Sequence, residues 1–320
     1  MNRESYIMNP SVYDIAIIGG GPAAVAAGVY AARKKARTLL ITESFGGQSI
    51  VSADIHNWIG ERSISGIALA EKLESHIRGY KDDVEIWTDR VESVTRSAAY
   101  AKLFSIKTKV GKFAETRTVI ICSGSSRKRL GIPGEDRLDG KGVAFCSICD
   151  APLFGGKDVA VIGSGNAGLE AVIDLHPYAK KIYMVNRGSA LKGDAVTQEK
   201  IKTFQSVEYM FNGVPMEILG DAFVSGMKCK DLATGEEKTL AVEGIFIEIG
   251  AVPNSGVAKG LVEMNDIGHI KVDPRTMRTS VVGIWAAGDV TDGSYQQNNI
   301  AAGDAVRALL NAHAYLHSGK

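Results

Sequence analysis

The sequence lacks the features that mark secreted, nucleic-acid-binding and membrane-bound proteins. It has only four cysteines in 320 residues, too few for a disulfide framework, so we expect a cytoplasmic protein in a reducing compartment. Its 37 basic and 36 acidic residues give a formal net charge of +1, which offers no attraction for nucleic acid or an anionic membrane. The opening segment, residues 1–14, shows no signal-peptide pattern and is expected to be a loose tail.

One uncharged stretch is long enough to resemble a membrane span. It covers residues 15–32, with the sequence IAIIGGGPAAVAAGVYAA. Three glycines and Pro22 interrupt it in the middle, and no second stretch of this kind follows. A buried strand, a tight turn and a helix therefore explain it better than a bilayer span does. We expect no membrane association.

Two segments share one order of strand, glycine-rich turn, helix and strand. They cover residues 13–42 and 157–186, and their short β-branched runs are typical of a parallel sheet covered on both faces. An alternating stretch with charged turns follows each segment, at 84–124 and 223–250, and predicts antiparallel strands. The sequence therefore predicts an α/β protein with two Rossmann-like dinucleotide-binding domains, each with a small antiparallel meander. A last helix is expected from about Asn299 to Leu316.

The first glycine-rich turn reads Gly19-x-Gly21-x-x-Ala24. The first glycine permits a tight turn, the second lets a pyrophosphate approach the backbone, and the small third residue lets helix and strand pack closely. The N–H groups and positive dipole end of the helix would face the phosphates. Glu43 ends the second strand, about 20 residues further on, where an acid holds the ribose hydroxyls. The alternative is a glycine turn that binds nothing.

The second turn reads Gly163-x-Gly165-x-x-Gly168 and predicts a second dinucleotide site by the same reasoning. Its second strand ends at Asn186, where an acid would favour NAD.

Asn186 is neutral, and two cations follow it at Arg187 and Lys192. These cations are suited to the 2′-phosphate of NADP, although a solvated charged turn explains them equally well.

Cys146 and Cys149 form a Cys-x-x-Cys pair followed directly by Asp150. The spacing places two thiols within disulfide reach, which favours redox exchange. A structural zinc site would need four ligands, and no second cysteine or histidine pair has ligand spacing, so we expect no metal. Asp150 is suited to protonating a leaving thiolate if its pKa is raised, although a plain helix-cap or turn aspartate is the alternative. Cys122, inside an apolar strand, and Cys229 are expected to be packing residues.

The ordered set of motifs closely resembles the low-molecular-weight, FAD-dependent thioredoxin reductases. The motifs that carry the resemblance are IIGGGPAA, GGQ, HNWIG, ICSG, GIPGE, CSICD, GSGNAG, GIFIEIGAVPN and GIWAAGDV. The likeness extends over nearly the whole chain past Val12. It implies a discontinuous FAD-binding domain of residues 1–129 and 248–320. A pyridine-nucleotide domain of residues 130–247 is inserted into it and carries the cysteines.

The resemblance also implies the residues that hold each cofactor. FAD is expected to contact Gly19, Gly21, Pro22, Ala23, Ala24, Glu43, Gly47, Gln48, Asn57, Gly124, Gly288, Asp289 and Gln297. The pyridine nucleotide is expected to contact Gly163, Gly165, Asn166, Ala167, Gly168, Asn186, Arg187 and Lys192. The helix that follows Gln297 would point its N-terminus at the flavin.

The family's chemistry implies a homodimeric enzyme that reduces a thioredoxin-like protein. By resemblance, Cys149 would meet the flavin C4a and Cys146 would exchange with the partner's disulfide. A hinge rotation of the inserted domain would alternate the cysteines and the nicotinamide at one flavin face. The short tail without its own Cys-x-x-Cys is expected to carry no fused peroxiredoxin-reducing module.

The chain departs from the family at the residues that are expected to bind the electron donor. The family's NADPH signature is H-R-R-x-x-x-R, and here only Arg187 matches, with Lys192 in place of the last arginine and Gly188 in place of the second. A lysine lacks the bidentate clamp of a guanidinium. Gln296 also replaces an arginine that helps to hold phosphate. The donor therefore stays open between NADPH, NADH and ferredoxin or another donor, and a non-turnover FAD redox sensor is a further alternative.

Overall fold

The structure is a computed structural model, and it describes residues 12–52 and 55–318. These residues fold as two compact units. The first unit comprises the described residues up to Ile50, Gly66–Ser126, and the described residues from Val252 onward. The second comprises the described part of Val51–Ser65 together with Arg127–Ala251. Within the described residues, no helix combines the length and the apolar character that a membrane crossing needs.

The strands and the helices are each numbered in chain order. The strands are β1 (Val12–Ile18), β2 (Thr38–Thr42), β3 (Val84–Thr88), β4 (Val91–Arg96), β5 (Phe104–Thr108), β6 (Phe113–Ile121), β7 (Ser125–Arg127), β8 (Val143–Ala144), β9 (Asp158–Ile162), β10 (Lys181–Val185), β11 (Val207–Met210), β12 (Gly213–Leu219), β13 (Gly226–Asp231), β14 (Glu237–Leu240), β15 (Gly244–Ile247), β16 (Ala251–Pro253) and β17 (Ile284–Ala286). The helices are α1 (Pro22–Arg33), α2 (Gly66–Arg78), α3 (Ser147–Asp150), α4 (Asn166–Leu175), α5 (Ala195–Lys202) and α6 (Asn298–His317).

The first unit is built on a seven-stranded sheet. Its strand order is β3-β2-β1-β6-β5-β4, and β17 also pairs with β6. The strands β1, β2, β3, β6 and β17 run parallel, whereas β4 and β5 form the antiparallel meander that leads into β6. Successive residues of β1 enter two different cores, with Ile15 and Ile17 on one face and Ala16 and Ile18 on the other. This is the two-sided burial expected of a parallel strand.

Alanines bring the two long helices of the first unit close together. Helix α1 contributes Ala24, Ala27 and Ala31 to the core, and α6 contributes Ala305 and Ala308. All five are fully buried. Because alanine is the smallest residue with a good helix propensity, these helices pack closely without losing helical stability. The sequence therefore places the N-terminus of α1 firmly beside the end of β1.

The second unit repeats the arrangement on a smaller scale. Its five-stranded sheet has the order β11-β10-β9-β15-β8, and all of its pairs are parallel. Strands β12, β13 and β14 form the expected antiparallel meander. Val159 and Val161 of β9 enter one core, whereas Ala160 and Ile162 enter the other. The predicted fold class, two Rossmann-like domains with meanders, is confirmed.

Several local predictions need correction. The sequence predicts Cys122 inside a strand, but β6 ends at Ile121; the Cys122 N–H still donates to the Ile18 carbonyl oxygen at 2.8 Å, and the thiol is buried. Val12–Asp14 belong to β1 rather than to a loose tail, and residues 1–11 lie outside the described residues. The last helix extends from Asn298 to His317, one residue longer at each end than expected.

The boundaries of the two units also differ from the expected ones. Two of the boundaries between the units fall after Ser126 and after Ala251, a few residues from the predicted boundaries at 129/130 and 247/248. The described part of Val51–Ser65 groups with the second unit, whereas the sequence predicts the first. Strands β7 and β16, which contain the boundaries after Ser126 and after Ala251, pair as a separate two-stranded sheet.

Candidate functional site

Gly19, directly after β1, has a backbone conformation that the fold itself requires. Its φ is +128°, a region that side chains rarely allow, and an added Cβ would overlap the Cys122 carbonyl oxygen. Its N–H donates to the Ile41 carbonyl oxygen at 2.9 Å. The first glycine of the turn is therefore explained by chain geometry alone.

Gly21 is different, because nothing in the fold excludes a side chain there. It is the N-cap of α1 with φ −79° and ψ −175°, an extended conformation open to any residue. The nearest atom to an added Cβ would be Gly47 Cα at 3.8 Å. No side chain of the described residues caps α1, and its first turn has no acidic residue. This helix end therefore presents open N–H groups to a cradle, meaning an empty space beside Gly21 that a side chain would fill.

A cleft of about 940 Å³ opens at this cradle, within the first unit. Ten predicted FAD residues line it, namely Gly19, Gly21, Pro22, Ala23, Glu43, Gly47, Gln48, Gly124, Gly288 and Asp289. The open helix end, the carboxylates and the volume fit a dinucleotide.

Three predicted FAD residues lie outside the lining of this cleft. Ala24 is fully buried, because it is the small residue that lets α1 pack on β1. Gln297 is the N-cap of α6, one residue before Asn298, which does line the cleft. Asn57 belongs to Val51–Ser65. The flavin contacts of Gln297 and Asn57 stay predictions.

Gln48 links three distant parts of the first unit. Its Nε2 donates to Ser125 Oγ at 2.9 Å and to Asp289 Oδ2 at 3.4 Å. Beside it, Ser49 Oγ donates to Asn298 Oδ1 at 2.9 Å. These bonds fix the cleft floor at the start of α6. Sequence reasoning missed Ser125 and Asn298, because neither belongs to a local motif.

Glu43 lies where the sequence predicted a ribose-binding acid. It follows β2 directly, lines the cleft, and its side chain is 59% exposed. Arg90 Nε lies 3.9 Å from Glu43 Oε2, a distance at which an exposed ion pair contributes little to stability. The carboxylate is therefore accessible to a hydroxyl donor from a ligand. Arg90 itself lines the cleft and was not predicted.

The second glycine turn has the same two kinds of glycine. Gly163 has φ +115°, and an added Cβ would overlap the Glu248 carbonyl oxygen. An added Cβ on Gly168 would overlap the Gly163 carbonyl oxygen, so this glycine allows the close packing of α4 on its strand. Gly165, the N-cap of α4, has φ −75° and no atom within 4 Å of an added Cβ. Its cradle fits a pyrophosphate as that of Gly21 does, and the neighbouring Asn166 and Ala167 are exposed.

Asn186 has a structural role that its predicted cofactor contact did not anticipate. Its side chain is buried, and its Nδ2 donates to the carbonyl oxygens of Gly188 at 3.0 Å and Ala190 at 2.7 Å. The amide therefore shapes the loop after β10. Arg187 and Lys192 are on that loop, and both are exposed. The Lys192 backbone N–H donates to the Ser164 carbonyl oxygen at 3.0 Å, which ties the loop to the glycine turn.

Cys146 and Cys149 are joined by a disulfide at the start of α3, with their Cα atoms 5.3 Å apart. Cys146 is half-buried, whereas Cys122 and Cys229 are buried free thiols, as expected of packing residues. In the part of the chain that the structure describes, no three His, Cys, Asp or Glu side chains gather as metal ligands. Because Cys146 and Cys149 are bonded to each other, the pair can accept two electrons and two protons when it is reduced.

Asp150 ends α3 directly beside this disulfide. Its backbone N–H donates to the Cys146 carbonyl oxygen at 3.1 Å, so the carboxyl is held on the same turn as both sulfurs. Burial disfavours the charged carboxylate and raises the pKa of Asp150 to about 6. The carboxyl can therefore hold a proton near neutral pH, as a group that protonates thiolates must.

Comparison with known proteins shows the family to which the chain belongs. The family model of the pyridine nucleotide-disulphide oxidoreductases matches residues 13–305. An alkyl hydroperoxide reductase component of Staphylococcus epidermidis is 40% identical over 305 residues, which are 95% of this chain and 59% of that protein. The chain thus spans about six-tenths of the length of the curated relatives that it matches.

Solved structures of similar length resemble the whole chain. The thioredoxin reductase from Streptococcus pyogenes MGAS5005 has a TM-score of 0.89 and 32% identity, covering 96% of this chain and 99% of its own. The thioredoxin reductase from Giardia duodenalis has a TM-score of 0.87 and 31% identity, covering 95% and 99%. These matches confirm the resemblance inferred from the motifs. The chain belongs to the pyridine nucleotide-disulphide oxidoreductase family and is a flavoenzyme of the disulfide oxidoreductase class.

Proposed function

We propose that the chain is an FAD-dependent disulfide reductase that passes electrons from a reduced pyridine nucleotide to a thioredoxin-like protein. The observation that carries the proposal is the Cys146–Cys149 disulfide, which lies beside an acid with a raised pKa. Electrons leave the chain when a thiolate of the reduced pair attacks the partner's disulfide. The homodimer and the cytoplasmic location belong to the same proposal and rest on the likeness to thioredoxin reductases.

The first unit holds FAD in this proposal. The N–H groups at the start of α1 face the pyrophosphate, Glu43 accepts hydrogen bonds from ribose hydroxyls, and Asp289 approaches the ribityl chain. Gln48 orients Asp289 through its 3.4 Å hydrogen bond. Bound FAD supplies a carrier that takes two electrons from a hydride donor and passes them on as pairs.

The second unit holds the pyridine nucleotide, with its pyrophosphate at the N-terminus of α4. NADPH is the donor that the loop after β10 favours, because residues 186–193 contain two cations and no carboxylate. Neither Arg187 nor Lys192 is buried there. Asn186 adds no negative charge that would repel a 2′-phosphate, and its amide is already bonded to the loop.

The donor is tested by mixing the purified yellow protein anaerobically with NADPH, NADH or reduced ferredoxin. We expect NADPH to bleach the flavin absorbance fastest. Replacing Arg187 with alanine should raise the KM for NADPH about tenfold and leave that for NADH unchanged, because only NADPH carries the 2′-phosphate. The exposed Lys200→Ala variant on α5 is the matched control. Faster bleaching by NADH or ferredoxin contradicts the assignment.

Asp150 acts as the general acid that protonates the thiolate released during exchange. Its carboxyl is protonated below about pH 6, so the rate of this step falls as the pH rises through that value.

Replacing Asp150 with asparagine should lower kcat about 100-fold. The decline of kcat above about pH 6 should also disappear, because the amide has no proton to lose. Both effects are measured with a small redoxin or an aromatic disulfide as acceptor. Asp221→Asn, the same change at an exposed position of the second unit, should behave as wild type. An unchanged pH profile in Asp150→Asn would assign the acid elsewhere.

The relatives favour a second candidate function. A 40% identity to a component of alkyl hydroperoxide reductase over nearly the whole chain supports a reductase unit whose electrons reach a hydroperoxide-reducing system. The disulfide chemistry is the same, and only the final acceptor differs. Turnover with a thioredoxin alone, compared with turnover that needs a peroxidase and a hydroperoxide, separates the two.

A further inference from the structure

Ser147, between the two cysteines, is held by acidic residues from two directions. Its Oγ donates to Asp174 Oδ2 on α4 at 2.7 Å. Its backbone N–H faces the carboxylate of Glu248 and favours the ionised form of that group. Ser147 is 7% exposed and follows Cys146 directly. The first turn of α3 is therefore fastened through this one residue to both α4 and the end of β15.

Glu248 lies at the carboxyl end of the parallel sheet of the second unit. It follows β15 directly, and its backbone N–H donates to the Ile162 carbonyl oxygen at 2.8 Å. It is 8% exposed, although glutamate is almost never buried unless it is paired. Burying a carboxyl costs free energy, and packing alone does not require a carboxyl here. Glu248 therefore needs another explanation.

The charges that face Glu248 come from two elements. Arg127 of β7 stabilises its carboxylate, whereas Asp174 and Glu170 of α4 oppose its ionisation. Burial is the largest effect, and together they raise the pKa of Glu248 to about 7. Glu248 therefore changes its charge within the pH range in which a disulfide reductase works.

We propose that Glu248 is a positioning residue for the redox-active cysteines: through Ser147 it holds the first turn of α3, and its charge keeps the Cys146 sulfur protonated after reduction. The inference rests on the proposed disulfide reductase function. When the disulfide is reduced, the sulfur–sulfur bond breaks and the pair takes up two electrons and two protons. When Glu248 is ionised, its negative charge beside Ser147 disfavours a second negative charge on the Cys146 sulfur. A neutral Glu248 has no such effect.

The charge on Glu248 changes how the ionisation of Cys146 responds to pH. Below about pH 7 Glu248 is protonated and neutral, and the Cys146 thiol ionises without its opposition. Above that pH Glu248 is ionised and raises the pKa of the thiol. The thiolate fraction of Cys146 therefore rises less than tenfold for each pH unit around neutrality. A Glu248→Gln variant removes the charge and should restore the steeper rise.

The test measures how fast Cys146 is alkylated as the pH changes. Dithiothreitol reduces the disulfide and forms its own cyclic disulfide, after which it is removed. Iodoacetamide then reacts with the thiolate, and mass spectrometry assigns the site. We expect alkylation of Cys146 at pH 8 to be about five- to tenfold faster in Glu248→Gln than in wild type. Glu243→Gln, an exposed glutamate just before β15, is the matched control and should not change the rate.

Equal pH profiles for wild type and Glu248→Gln overturn the proposal. If Glu248→Gln does not fold, the wild-type profile is compared with that of Asp150→Asn, because the Asp150 carboxyl beside the disulfide also titrates, near pH 6. The proposal requires an inflection near pH 7, in addition to that of the thiol, that remains in Asp150→Asn. Two further variants distinguish the hydrogen bond from the charge of Asp174. Asp174→Asn removes the charge but keeps an acceptor for Ser147 Oγ, whereas Ser147→Ala removes the hydrogen bond and keeps the charge. The assay uses no nucleotide or partner, so a failure of the proposed function shows instead as a flavin that no donor bleaches.

Discussion

Replacing both Cys146 and Cys149 with serine is expected to abolish disulfide reductase activity, to below about one thousandth of the wild-type rate. The thiolate is the nucleophile of disulfide exchange, and a serine hydroxyl neither ionises near neutral pH nor forms a disulfide. Both cysteines lie at α3 in the second unit, whereas the cleft assigned to FAD lies in the first. The variant should therefore keep its yellow colour and still be bleached by the electron donor.

The decisive measurement compares turnover with a redoxin against bleaching of the flavin in the same preparation. Cys229→Ala is the matched control, because this free thiol is buried in the core of the second unit and has no part in the proposed reaction. It should keep full turnover with a modest loss of stability. Full-speed reduction of a redoxin by the double serine variant would contradict the proposed electron path. The non-turnover sensor alternative predicts no turnover in wild type either.

The two Rossmann-like units were predictable because their signals are local. At Gly19 and Gly163, strand, turn and helix are contiguous in sequence, and the positive φ that each turn needs admits little besides glycine. The alanines of α1 likewise predict that this helix packs closely against its neighbours. The Cys146–Cys149 pair was equally local, since the two cysteines are three positions apart in the sequence. Short-range geometry fixes all of these features.

The features that sequence reasoning missed depend on contacts between distant residues. Gln48 meets Ser125 and Asp289 across 77 and 241 residues of sequence, so no motif reveals these bonds. The sequence predicts a cofactor contact for Asn186, but burial and the carbonyls of its own loop determine what its amide does. Glu248 stands in the GIFIEIG motif without any sign that it faces Ser147. Only the packed fold assigns these roles.

The glycines of each fingerprint divide into those that the chain needs and those that a ligand needs. Gly19 and Gly163 would strain or collide with the chain if replaced. Gly21 and Gly165 have ordinary φ values and open space, so the fold gives no reason for glycine at either N-cap. Aspartate is in fact a preferred N-cap residue, because its side chain accepts from the first N–H groups of the helix. It would also place a negative charge where a pyrophosphate is expected.

A substitution at Gly165 should therefore impair nucleotide binding without destabilising the fold. Gly165→Asp should leave the melting temperature unchanged or slightly higher, since it caps α4. It should also raise the KM for NADPH and NADH alike by about 100-fold or more, because the carboxylate repels the pyrophosphate and occupies its place. Bound flavin and reduction of the disulfide by dithiothreitol should be unaffected.

Gly21→Asp should show the complementary result, a folded protein that is purified without its yellow colour. Each variant serves as the control for the other, since the same charge is added to the same position of an equivalent turn. Gly303→Asp, exposed on α6 with open space around it, controls for the charge alone and should keep both cofactors. Unchanged nucleotide kinetics in Gly165→Asp, with α4 intact by circular dichroism, would mean that the donor's pyrophosphate binds elsewhere. Loss of flavin from Gly165→Asp would instead show that the two turns do not hold separate cofactors.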